Sequence, residues 1–311
     1  MIKLCSYLEL SLYEKLEITR RVLREYTKGK NNIVISFSGG LDSTVLLHLV
    51  RSLVGNIPAM FLNSGNEYPE IRKFALGVDN VQMVKPKVSF LQVISEYGYP
   101  VISKEVSQRL FEFRTSRSQY MKDRLLAVEG YDFKYRNSIP KKYRHLLYSH
   151  LKISHKCCTF IKKRPMNLAM KGVDCNIQGC TALESMLRQQ RFSKYGFEKN
   201  KREMSVLWPI AHWTKEDCFQ YLREREIPYC ELYDLGYQRT GCMFCLYGVH
   251  REEYPNKIQL MSATHPQFHR YMIRKLNLLE WSELLGFDCF IECSRDQKTE
   301  CLRELFEEND R

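Results

Sequence analysis

Ser36-Phe37-Ser38-Gly39-Gly40-Leu41-Asp42-Ser43-Thr44 sits between the apolar run Ile33-Val34-Ile35 and the equally apolar Val45-Leu46-Leu47-His48-Leu49-Val50. The order reads as strand, tight loop and helix. Gly39 and Gly40 let the backbone turn sharply and approach a ligand without Cβ obstruction. A helix beginning near Asp42 offers unpaired N–H groups and a positive dipole end, which suit a phosphate. Ser38 and Ser43 add hydroxyl donors, and Asp42 could hold a Mg²⁺ that bridges phosphate oxygens. No Lys precedes the Ser/Thr, so this is not a Walker A loop. The plainer alternative is a glycine turn with Asp42 as helix N-cap.

Working outward, residues 7–27 read as one amphipathic helix, with Leu12, Leu16, Thr19, Leu23 and Tyr26 on one face. Downstream, Ala59-Met60-Phe61-Leu62 and Val81-Gln82-Met83-Val84 are strand-like, each followed by a helical segment, at about 71–76 and 89–97. Asn176-Ile177-Gln178-Gly179 reads as a further strand end, and Thr214 with Asp217 as a capping-box variant. Strands alternating with helices predict right-handed βαβ units. The expected fold class is therefore α/β: a Rossmann-like, mostly parallel twisted sheet with helices on both faces, plus helical N- and C-terminal additions. Ligands on such sheets bind beyond the carboxyl ends of the strands, where the glycine loop sits. The expected organisation is an N-terminal helical segment at 1–30, a nucleotide-binding domain at 31–250 with a basic insert at about 111–156, and a helical region at 251–311.

The Ser-Gly-Gly-Leu-Asp-Ser string resembles the pyrophosphate loop of the ATP-pyrophosphatase superfamily. Asn63-Ser64-Gly65-Asn66-Glu67-Tyr68-Pro69-Glu70 is similar to the strand-two motif of the phosphoadenylyl-sulfate (PAPS) reductase family within it. So are Glu184-Ser185-Met186-Leu187-Arg188, read as one helix, and Arg239-Thr240-Gly241-Cys242-Met243-Phe244-Cys245. The resemblance runs from about residue 32 to 250. It implies an adenine nucleotide bound by Ser36, Ser38, Gly39, Gly40, Asp42, Ser43, Asn63, Gly65, Glu184 and Arg239, with Asp42, Ser38 and Arg188 in catalytic roles. Glu184 and Arg188 are also spaced for a simple i,i+4 ion pair.

At 311 residues with 44% hydrophobic content, the chain can bury a sizeable core. No apolar run is long enough to span a bilayer and no secretory signal opens the sequence, so a cytoplasmic protein is expected. The net charge of +12 is concentrated: residues 111–164 hold 14 Lys and Arg against 4 Asp and Glu. There Arg114, Arg117, Lys122, Arg124, Lys134, Arg136, Lys141, Lys142 and Arg144 alternate with Tyr120, Phe133, Tyr135, Tyr143 and Tyr148. Such a mixture suits phosphate contacts with base stacking, on DNA or tRNA, and equally a solvated charged face over buried tyrosines.

Twelve cysteines are many for a reducing compartment, where clustered thiols hold metal or do redox chemistry. Cys157-Cys158 and Cys242-x-x-Cys245 form a candidate four-thiolate site. Cys-x-x-Cys suits zinc or an iron–sulfur cluster. The adjacent pair favours a 4Fe–4S cubane, whose ligands reach different irons. Cys157-Cys158 also resembles the first cysteine pair of iron–sulfur adenylyl-sulfate reductases.

Three functions fit. One is an ATP pyrophosphatase, using ATP and Mg²⁺ to activate a substrate for sulfur transfer, as the resemblance implies for DNA phosphorothioation or tRNA thiolation. A cysteine desulfurase or another sulfur-donor protein would be its partner. The second is an assimilatory reductase making sulfite. Members with that role carry a C-terminal Glu-Cys-Gly-Leu-His, where this chain has Glu292-Cys293-Ser294-Arg295 and Glu300-Cys301-Leu302-Arg303. The third is a non-catalytic nucleotide or redox sensor. Cys289, Cys293 and Cys301 match no metal motif and read as unpaired residues on helices.

Overall fold

A computed structural model describes residues 4–128, 138–201 and 204–291 of the chain. Of the segments singled out in the sequence, Phe133, Lys134, Tyr135, Arg136, Cys293 and Cys301 lie outside the described residues.

The strands are β1 (Ile33–Phe37), β2 (Ala59–Leu62), β3 (Val81–Val84), β4 (Val101–Ile102), β5 (Cys175–Gln178), β6 (Glu198–Lys201), β7 (Met204–Leu207) and β8 (Leu246–Tyr247). Six of them form one sheet in the order β3-β2-β1-β5-β7-β6. Every pairing is parallel except that of β6 with β7. The fold class is thus the α/β architecture expected. Strand order reverses beside β1, whose neighbours are β2 and β5, so the loop after β1 opens at the switch point where such sheets bind ligands.

Both faces of the central strands are buried, which is why they read as unbroken apolar runs. On one face Val34 and Met60 pack with Met166, Ala169 and Met170, at and just beyond the Arg164–Ala169 helix. On the other, Phe37 meets Phe61 and then Phe74 of the Pro69–Leu76 helix.

Two compact units are present. One is built from within Met1–Lys87, Ile161–Asp234 and Gln238–Cys242, and contains the whole six-stranded sheet. The other is built from within Val88–Phe160, Leu235–Tyr237 and Met243–Arg311. Its core joins the rings of Phe90, Tyr99, Phe244 and Trp281 beside the β4–β8 pair.

Several boundaries differ from the sequence reading. The helix expected over 7–27 is two, Cys5–Leu8 and Leu12–Thr27. Ser11 breaks it by capping the second: the Glu14 N–H donates to Ser11 Oγ, and the Ser11 N–H to the Glu14 carboxylate at 2.8 Å. The loop helix begins at Leu41, with Gly40 rather than Asp42 as its N-cap. Glu184 belongs to a 3-10 turn, Ala182–Glu184, and a separate helix, Met186–Tyr195, starts after the extended N-cap Ser185. Thr214 and Asp217 do form a reciprocal capping box.

Candidate functional site

The site is built on the six-stranded unit. Strand β1 ends at Phe37, the chain turns through Gly39 at a φ of +71°, and the Leu41–Leu53 helix starts two residues later. The turn is internally braced. Ser43 Oγ accepts from the Ser38 N–H at 3.2 Å and donates to the Gly40 carbonyl at 2.8 Å. The Ser38 and Ser43 hydroxyls are 3.1 Å apart.

Beside this loop lies a cavity of about 520 Å³. Among the predicted residues Ser38, Gly40, Asp42, Ser43, Glu184, Arg188 and Arg239 line it. Glu184 and Arg188 are ion-paired. Ser36, Gly39, Asn63 and Gly65 do not line it. Ser36 donates instead to Asn176 Oδ1 on β5 at 2.8 Å, and Asn63 Oδ1 accepts from the Gly65 N–H in the turn after β2.

Lys215, Gln238, Tyr233, Thr240 and Gly179 also line the cavity, and sequence reasoning gave none of them a role in the site. Lys215 donates to Gln238 Oε1 at 2.6 Å. Gly179 allows the chain leaving β5 to pass the loop helix, since a Cβ there would lie 2.7 Å from the Asp42 carbonyl oxygen. A glycine directly after a strand end was the one local signal available for that contact.

Asp42 sits at the meeting of several charges. Burial raises its carboxyl above the ordinary aspartate value, opposed by the Arg188 guanidinium, a hydrogen bond from Cys218 and the Lys215 ammonium. The same carboxylate, after burial, pushes the Cys218 thiol up, so Cys218 stays a protonated donor. The arrangement is a half-buried carboxylate among cations and loop donors, able to receive a polyanion.

A second constellation belongs to the other unit. Cys157 is buried, Cys158 and Cys245 are half-buried, and all three, after desolvation, hold the Tyr247 phenol well above its usual range. Tyr99, whose hydroxyl donates to the Phe244 carbonyl at 2.5 Å, feels Cys245 and Cys157 in the same way. Among the described residues, no three His, Cys, Asp or Glu side chains are grouped closely enough to hold a single metal ion. Cys242, half-buried, belongs to the sheet unit.

The basic insert divides into two kinds of cation. Arg114 donates to the carbonyls of Leu146, Ser149 and Leu151, Arg144 to those of Leu126 and Ile139. These arginines knit the segment together. Arg117, Lys141 and Lys142 are exposed, as are Tyr120 and Tyr148, the last at 86%. Among the described residues no helix is long and apolar enough to cross a membrane.

The model of the phosphoadenosine phosphosulfate reductase domain matches residues 32–102 and 107–247. The chain is 24% identical over 230 residues to an adenosine 5'-phosphosulfate reductase of Lysinibacillus sphaericus (strain C3-41), covering 74% of this chain and 78% of that one. A solved phosphoadenylyl-sulfate (PAPS) reductase from Candida auris, in complex with phosphate, is similar at 17% identity and a TM-score of 0.44, covering 75% of this chain and 96% of that one. A U34-tRNA thiolase from Methanococcus maripaludis with its 4Fe–4S cluster is similar at 13% identity and a TM-score of 0.40, covering 91% and 83%.

Proposed function

The chain belongs to the phosphoadenosine phosphosulfate reductase domain family, and from that membership we propose that its loop cavity takes ATP with Mg²⁺ and activates a substrate for sulfur transfer. The observation that carries this reading is the convergence on one cavity of Ser38, Asp42 and Ser43 with Arg188, Lys215 and Arg239. Loop hydroxyls and guanidinium groups suit the oxygens of a polyphosphate. Cations aimed at a departing pyrophosphate lower the barrier electrostatically. Arg188 and Arg239 would hold that leaving group, and Ser38 would donate its hydroxyl to a phosphate oxygen. Asp42 fits a metal ligand: a desolvated carboxylate facing phosphates is repelled by them unless a cation lies between. Bound there, Mg²⁺ would neutralise charge on the phosphate oxygens.

Cys157, Cys158 and Cys245 are the residues of the second unit that would hold a 4Fe–4S cluster. An adjacent cysteine pair suits a multi-iron cluster better than zinc, because neighbouring thiolates can reach different irons but crowd a single tetrahedral ion. When bound, the cluster would position an anionic group or supply electrons. The exposed Arg117, Lys141 and Lys142 with Tyr120 and Tyr148 support DNA or tRNA as the acceptor, phosphorothioation being one such modification. A cysteine desulfurase is the fitting class of sulfur donor.

The second reading is a reductase releasing sulfite from an adenylyl sulfate, and the activity named for the Lysinibacillus relative favours it. A paired assay separates the two. Under the first, ATP with Mg²⁺ and nucleic acid yields pyrophosphate, and Asp42→Asn abolishes it. Thioredoxin-driven sulfite release without pyrophosphate would make the second reading correct. Protein prepared without oxygen should contain iron and acid-labile sulfide in near-equal amounts; zinc without sulfide rejects the cluster.

A further inference from the structure

The Leu41 N–H is the first of the loop helix and has no acceptor within that helix. It points where an anionic oxygen would be held. Here it donates to the Tyr233 hydroxyl at 2.8 Å. Tyr233 lies in the Glu231–Tyr233 turn, its ring braced edge-on by Phe219 and Tyr229 at 5.8 and 6.3 Å. It is seated directly on the loop. A Cβ on Gly40 would be 3.4 Å from the phenol oxygen and 2.4 Å from Thr240 Oγ1. Both residues line the same cavity as Asp42, Arg188 and Lys215.

We infer that Tyr233 is a resident competitor for the phosphate cradle: its phenol oxygen occupies the Leu41 N–H, and a ligand takes that donor only by displacing it. The inference rests on the reading of the cavity as a nucleotide site. A neutral phenol oxygen makes an ordinary hydrogen bond, whereas a phosphate oxygen makes a charge-assisted one, roughly twice as strong. Displacement is therefore downhill for a polyanion and not for water or a neutral molecule. Tyr233 selects for anionic charge at this end of the cavity, and the ligand must add contacts to Arg188, Lys215 or Arg239 to bind tightly.

The test uses the full chain and inorganic pyrophosphate, with ATP as a second probe, titrated calorimetrically into the wild type and Tyr233→Phe. The variant should bind pyrophosphate about tenfold more tightly, the equivalent of one modest hydrogen bond no longer broken. In the wild type, pyrophosphate should raise hydrogen–deuterium exchange in peptides covering residues 231–233. Unchanged or weaker binding by the variant, or lower exchange there, would make Tyr233 a bystander or a ligand contact and overturn the inference while leaving the nucleotide site standing. If neither protein binds either probe while their melting temperatures agree, the nucleotide reading fails and the inference falls with it.

Discussion

Burial makes the charged form of Asp42 costly in the folded chain. Burial lifts its carboxyl above the ordinary value of 3.8, so its folded form takes up a proton more readily than its unfolded form. The stability this group contributes is full below the unfolded value and is lost as pH rises through the folded one. At neutral pH the charged side chain is thus a liability that Asn would relieve. Asp42→Asn should melt at the same temperature or higher at pH 7, with the difference shrinking below about pH 4, while pyrophosphate release disappears. A variant that melts lower at pH 7 would contradict this account. Gly179 gives a second test at this scale. A methyl group there meets backbone of Asp42 and Ser43 at 2.7–2.8 Å, which cannot move aside as a side chain can. Gly179→Ala should cost about 1–3 kcal/mol in denaturant unfolding and weaken nucleotide binding together.

At the scale of elements, the Leu12–Thr27 helix is tied to the Lys215–Glu224 helix by buried polar groups. Lys15, 2% exposed, pairs with Asp217 at 2.7 Å, and Asp217 also accepts from the Thr214 N–H. His212 is fully buried beside them, its Nε2–H donating to the Lys15 carbonyl at 3.2 Å. Burial first, helped by the Lys15 charge, pushes this imidazole from 6.5 down to about 4, against the Lys15 carbonyl bond and Asp217. A depressed folded value means that the unfolded chain takes up the proton first. Stability from neutral His212 is therefore full above pH 6.5 and lost as pH falls towards 4. The loss reaches at most roughly 3 kcal/mol. His212→Gln should flatten the melting temperature between pH 6.5 and 4; an unchanged slope would assign the acid sensitivity elsewhere.

Across the whole molecule, the charge of +12 performs two tasks that composition does not distinguish. Arg114 donates to three backbone carbonyls, so Arg114→Gln should destabilise the protein by about 2–3 kcal/mol. Lys141 and Lys142 are exposed, so Lys141→Glu with Lys142→Glu should leave the melting temperature nearly unchanged. The same pair of substitutions should weaken DNA or tRNA binding and flatten its salt dependence. Filter binding across a salt series checks both; equal nucleic-acid affinity in the double variant would exclude this surface.

The β1–loop–helix unit was legible because its causes are local: an apolar strand, two glycines in sequence, and a helix that is largely apolar and buried along almost its whole first two turns and beyond. The capping box at Thr214 and the parallel α/β sheet followed from equally local patterns. Locality misled at Ser11, where a helical spacing of apolar residues hid a serine that caps a new helix, and the motif read as one helix at 184–188 hid Ser185, the N-cap that separates a 3-10 turn from the helix after it. The cysteine motifs, too, were visible as spacing alone. What only tertiary structure decided is which polar groups meet. Arg114 and Arg117 look alike within the basic insert, yet the first is spent on backbone carbonyls and the second is exposed. Lys215, Tyr233 and Thr240 reach the glycine loop only because the sheet brings distant segments to the carboxyl end of β1. Helices and turns are set by interactions a few residues long. The donors and charges around a phosphate cradle are set by chain packing, which no local pattern records.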